Sequence, residues 1–135
     1  MYITRRERFS SAHRLYNPKM NSKNNAELFG KCYELHGHNY QLFVTVTGSL
    51  KKESGFVLDL KDLKKIIHTK IIDKLDHKVI NDADFMKDKI ASTENVCIAI
   101  WEELYEPIKN KLNCELFSVK ILETENNIFE YFGNN

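Results

Sequence analysis

The run Tyr-Gln-Leu-Phe-Val-Thr-Val-Thr at residues 40–47 restricts the fold more than any other stretch of this chain. β-Branched and aromatic side chains lose rotamer freedom against a helical turn but pack well on a pleated surface, so this run predicts a strand. Directly before it stands His36-Gly37-His38. On an extended chain the two imidazoles share one face, about 7 Å apart. From 2 to 13 the odd positions Ile3, Arg5, Glu7, Phe9, Ser11 and His13 also share a strand face, though a weakly apolar one. The polar stretch 17–30, with its Asn-Pro and Asn-Asn pairs, reads as a long loop.

After Gly48 and Gly55, which bracket a turn, the apolar period changes. Asp59 is a good N-cap with Asp62 in the first turn, and Leu60, Leu63, Ile67 and Ile71 follow at helical spacing. A second helix is expected from Thr93, with Val96, Ile100, Trp101, Leu104 and Ile108 on one face and Pro107 ending or kinking it. Phe117, Val119 and Ile121 then alternate with polar residues in a strand ending near Glu123. Asn126-Asn127 turns the chain into a last strand at 128–132. The order ββααββ predicts an α+β fold: a four-stranded antiparallel sheet with two helices on one face. Its open edges suggest oligomerisation.

The 135 residues fit one domain, expected to span 1–135. With 20 Lys+Arg against 19 Asp+Glu, the net charge of +1 argues against a nucleic-acid partner. No apolar run approaches the ~20 residues of a membrane span, and the first residues lack the apolar core of a secretory signal, so a cytoplasmic location is expected. Cys32, Cys97 and Cys114 make an odd count without a CxxC pair, which disfavours a disulfide framework.

The chemistry therefore rests on the histidines. His36 and His38 can share a metal ion, and His13, near another strand end, is the candidate third ligand. Three neutral imidazoles leave one tetrahedral position open, the pattern of a catalytic zinc site. Cys32, four residues before His36, would be a fourth ligand or a general base beside such an ion, and otherwise a small buried hydrophobe. Asp76-His77 places an acid beside an imidazole. Glu123 ends an apolar strand, where a carboxylate needs a partner unless the strand has reached solvent. Ser92-Thr93-Glu94-Asn95 is a helix start.

Taken in order, six segments resemble the family of 6-pyruvoyltetrahydropterin and 6-carboxytetrahydropterin synthases. They are Phe9-Ser10-Ser11-Ala12-His13-Arg14-Leu15, Leu28-Phe29-Gly30-Lys31-Cys32, His36-Gly37-His38-Asn39-Tyr40, Leu75-Asp76-His77-Lys78, Ser92-Thr93-Glu94-Asn95 with Ile100-Trp101, and Glu123-Thr124-Glu125-Asn126-Asn127. The resemblance implies a zinc-dependent lyase acting on 7,8-dihydroneopterin triphosphate. It implies subunits whose sheets join into barrels, commonly a homohexamer of two trimers. It carries the zinc ligands onto His13, His36 and His38, the catalytic cysteine onto Cys32, and a proton relay, usually lent across a subunit boundary, onto Asp76 and His77. The pterin anchor falls on Glu123, with further substrate contacts near Ser92 and Thr93.

Two features bear on the product. Three residues separate Cys32 from His36, the spacing of the carboxytetrahydropterin branch, where many animal-type members have five. This predicts 6-carboxytetrahydropterin, the queuosine-pathway product. Segments 28–32 and 123–127 look closer to the pyruvoyl branch, which keeps 6-pyruvoyltetrahydropterin as the alternative. Glu34 stands where some members use a glutamate in place of the cysteine and release 6-hydroxymethyldihydropterin for folate, so it is a second candidate base at the substrate.

Overall fold

The computed structural model describes residues 1–133. One five-stranded sheet forms its frame, with Lys78–Val79 (β3), Tyr2–His13 (β1), His36–Thr47 (β2), Glu115–Leu122 (β4) and Ile128–Tyr131 (β5) side by side in that order. β1 (Tyr2–His13) and β2 (His36–Thr47) are long and pair antiparallel from Tyr2↔Thr47 to His13↔His36. β4 (Glu115–Leu122) lies along the other side of β2, with an irregularity between Thr45 and Val46, and β5 (Ile128–Tyr131) closes that edge.

Alternation gives the sheet two unlike faces. Tyr40, Leu42, Val44 and Val46 on β2 and Val119 and Ile121 on β4 are buried, and the helices cover them. Helix α2 (Leu60–Ile67) starts where Asp59 Oδ1 accepts the Lys61 N–H at 2.9 Å, and it buries Leu63, Ile66 and Ile67. Leu60, expected on the apolar stripe, stays 45% exposed. The helix then widens into a π-type turn (His68–Ile72) before a last short turn, α3 (Asp73–Leu75). That widening lets Ile71, Ile72 and Leu75 all reach the core.

Helix α4 (Thr93–Leu112) is capped by Ser92 and buries Val96, Cys97, Ile100, Leu104 and Ile108. Pro107 does not end it. The helix runs on for another turn and stops at Asn113, whose φ of 54° is left-handed. Each large aliphatic side chain in this core contributes about 1.5–3 kcal/mol by leaving water.

The α+β architecture is as expected, with two corrections. The sheet is mixed and has five strands, because β3 (Lys78–Val79) pairs parallel to Ser11–Ala12 of β1. A strand of two residues has too little sequence to show a period. The stretch expected as loop contains helix α1 (Ser22–Phe29), capped by Asn21 and followed by a 3-10 turn (Gly30–Tyr33). Its polar composition hides it, but buried Asn25 ties it down by donating to the carbonyls of Asn17, Met20 and Asn21. Among the described residues, no helix is long and apolar enough to cross a membrane.

Candidate active site

The register of β1 on β2 brings the three histidines together. His13 is the cross-strand partner of His36, and His38 lies two residues further along the same face, opposite Ser11. Ring centroids are 4.6 Å apart for His13–His36, 5.4 Å for His13–His38 and 5.1 Å for His36–His38. One nitrogen from each ring lies within 4.8 Å of the others.

The other nitrogens define the chemistry. His13 Nδ1 is 2.8 Å from the Ala91 carbonyl, and His36 Nδ1 is 2.8 Å from the Glu34 carbonyl. A carbonyl can only accept, so these contacts put the proton on Nδ1 and leave Nε2 with its lone pair. Nε2 of His13 and Nε2 of His38 are buried without a hydrogen-bond partner in the protein. Burial, followed by repulsion from the neighbouring imidazoles, holds the His13 pKa below its ordinary value despite the Ala91 contact, and burial does the same at His38. With two buried, unpartnered Nε2 atoms and a third imidazole within reach, this donor set fits a metal ion.

Glu123 stands just beyond the end of β4, one step past the pair Gln41↔Leu122 and therefore beside Tyr40 of β2. Its Oε2 accepts the hydroxyl of Thr93, from the first turn of α4. Its charge reaches His13, His38 and Tyr40. Tyr40, 1% exposed, stacks on Phe9 at 4.8 Å, and its hydroxyl has no protein partner. Burial, helped by Glu123, pushes its pKa up. From the sequence Tyr40 reads only as a strand residue with no role at the site, although its i+2 spacing from His38 places it on the same face.

The remaining expected residues lie around this centre. Ser92 is engaged in capping α4, its Oγ accepting the Asn95 N–H at 3.3 Å, so within the chain its hydroxyl serves the helix. Cys32 is exposed on the 3-10 turn after α1, and Glu34 is exposed two residues on. Asp76 and His77 clasp β1 at Ser10: Asp76 Oδ1 accepts the Ser10 N–H at 2.9 Å, and the His77 N–H donates to the Ser10 carbonyl at 2.7 Å. The His77 backbone has a φ of 60°, and its side chain, 83% exposed, lies 3.7 Å from Asp76 Oδ2. Cys97 and Cys114 are buried and free.

A sheet that gathers three imidazoles at one point, with a tethered carboxylate beside them, defines an α+β protein whose residues could hold a metal ion next to a polar ligand. The comparisons with known proteins specify it further. The 6-pyruvoyl tetrahydropterin synthase family model matches residues 2–134, and the chain belongs to that family of pterin synthase lyases. It is 45% identical to the 6-pyruvoyl tetrahydrobiopterin synthase of Dictyostelium discoideum, over 97% of this chain and 95% of that protein. The structure of Caenorhabditis elegans 6-pyruvoyl tetrahydropterin synthase superposes with a TM-score of 0.90 at 37% identity, covering 99% of this chain and 96% of the other. The 6-carboxy-5,6,7,8-tetrahydropterin synthase of Haemophilus influenzae is 32% identical over 78% of this chain and 67% of that protein. The balance favours the pyruvoyl alternative over the product read from the Cys32–His36 spacing. A gap of three residues is a weak guide because contacts from elsewhere in the fold hold the turn that carries the thiol.

Proposed function

We propose that this protein is a zinc-dependent lyase that converts 7,8-dihydroneopterin triphosphate to 6-pyruvoyltetrahydropterin with release of triphosphate. The observation that carries the reading is the convergence of three imidazole donors with the Thr93-tethered Glu123 at one end of the sheet. Identity to pyruvoyl-type synthases across nearly the whole chain supports the choice of product.

His13, His36 and His38 would hold the zinc, which as a Lewis acid would acidify a substrate hydroxyl and the C–H on the carbon that bears it. Glu123 would accept hydrogen bonds from the amino group and ring N–H of the pterin, a bidentate arrangement that offsets the burial of its charge. Thr93 holds the carboxylate in place for that task. Cys32 and His77 would move protons, with Asp76 orienting His77. His77 points to solvent in its own subunit, which fits a group lent to a neighbouring subunit in a homohexamer of two trimers.

The test is direct: incubate the zinc-loaded protein with 7,8-dihydroneopterin triphosphate and identify the pterin released. 6-Pyruvoyltetrahydropterin supports the reading. A predominance of 6-carboxytetrahydropterin would restore the spacing argument, and 6-hydroxymethyldihydropterin would point to Glu34 as the working base.

A further inference from the structure

Arg14 follows the metal-facing His13 by one residue and reaches across to the turn that carries Cys32. Its Nε donates to the Tyr33 carbonyl at 3.0 Å, while its guanidinium carbon lies 4.3 Å from the Tyr33 ring centroid and 5.2 Å from that of Tyr16. The adjacent Leu15 donates its N–H to the Cys32 carbonyl at 2.8 Å. On its other side Arg14 is anchored by Asn81, whose Oδ1 accepts the Arg14 N–H at 3.0 Å and whose Nδ2 donates to the Arg14 carbonyl at 2.9 Å.

The turn has little else to hold it. Gly30–Tyr33 buries none of its residues and is entered through Gly30 at a φ of 57°. Its far end meets the metal centre through the Glu34 carbonyl and His36 Nδ1. With no side chain in the core, the turn takes its place from these polar and stacking contacts.

We propose that Arg14 is a positioning residue that braces the Cys32 turn and thereby sets where the thiol stands relative to the three histidines. A planar guanidinium can stack on Tyr33 and donate to its carbonyl together, whereas a lysine keeps the charge but loses the fork and the flat face. The brace rests on geometry alone; its consequence for turnover rests on the proposed role of Cys32.

The experiment compares wild type, Arg14→Lys and Cys32→Ala as zinc-loaded proteins. Amide hydrogen exchange is followed at Leu15 and Glu34, whose N–H groups bond across and within the turn, with β4 as internal reference. Steady-state kinetics are measured on 7,8-dihydroneopterin triphosphate. In Arg14→Lys those two amides should exchange at least about tenfold faster with β4 unchanged. Its kcat should fall by about tenfold or more with KM within twofold, because a displaced proton-transfer group costs rate rather than binding. Exchange within twofold of wild type overturns the brace without reference to any substrate. Faster exchange with wild-type turnover, beside an inactive Cys32→Ala, overturns the positioning role. A fully active Cys32→Ala would instead refute the proposed role of Cys32, and with it the effect on turnover, leaving the exchange data to judge the brace. Should Arg14→Lys not fold, Tyr33→Leu removes the stacking partner from the other side and is read in the same way.

Discussion

His13 Nδ1 lies 2.8 Å from the carbonyl oxygen of Ala91, 78 positions further along the chain. This contact joins the end of β1 to the residue before the α4 cap. It also assigns the imidazole proton to Nδ1, which turns the Nε2 lone pair toward His36 and His38. The tautomer of His13 that leaves Nε2 bare is thus a property of the packed fold.

Substitution of His13 by Ala is expected to remove bound metal. Two imidazoles bind far more weakly than three, so metal content after dialysis should drop from about one ion per chain to less than about a tenth. Metal analysis of the dialysed protein decides this, and full occupancy in His13→Ala would remove His13 from the ligand set.

Cys32→Ala should keep both metal and fold while losing turnover by about a hundredfold or more, the scale of a lost proton-transfer group. Measuring metal content beside kcat separates the two roles open to a thiol at this place. Loss of metal would make Cys32 a ligand.

The assignment of His77 to a neighbouring subunit predicts complementation. Cys32→Ala and His77→Ala should each be inactive alone. Dissociated, mixed in equal amounts and reassembled, they should regain activity in about a quarter of the sites, because a complete site then draws one intact residue from each kind of subunit. No recovery in reassembled mixtures would place both residues in the same subunit's site.

Glu123→Gln replaces one acceptor oxygen by a donor that would face the pterin N–H groups. Pterin binding, measured by titration, should weaken by about 1–3 kcal/mol. Thr93→Val should produce a smaller loss of the same sign, since it frees the carboxylate without changing it. Unchanged affinity in Glu123→Gln would put the pterin anchor elsewhere.

Glu7 provides a pH test of the fold. Burial acts to raise its pKa, but hydrogen bonds from Arg5 and His68 outweigh it and hold the carboxyl below its ordinary value of 4.5. A depressed carboxylate pKa means that the unfolded chain binds more protons near that value. Its stabilisation is therefore present above the unfolded pKa and lost as pH falls through the folded one. Urea midpoints taken as pH falls below about 5 should decline more steeply for wild type than for Glu7→Gln. Parallel curves would show that the Arg5–Glu7–His68 cluster contributes nothing to acid stability.

Much of the candidate site was legible because its signals are local. The spacing of His36 and His38 follows from the strand period, and the caps at Asp59 and Ser92 are read from one residue and its successors. The α1 helix escaped because its residues are polar and its anchor, Asn25, works through side-chain bonds to carbonyls several residues back. β3 escaped because its pairing with Ser11 and Ala12 is its entire basis.

By itself the sequence determined which segments take period 2 or 3.6, where the main helices begin, and that two imidazoles share a face, since these depend on neighbours within a few residues. Only the tertiary structure decided that His13 stands opposite His36, that Thr93 holds Glu123, and that Arg14 grips the turn of Cys32. These partners are 23, 30 and 19 positions apart or bridged by residues that far apart. Strand register and helix docking, both set by core packing, bring such groups within hydrogen-bonding distance, and no local pattern records that result.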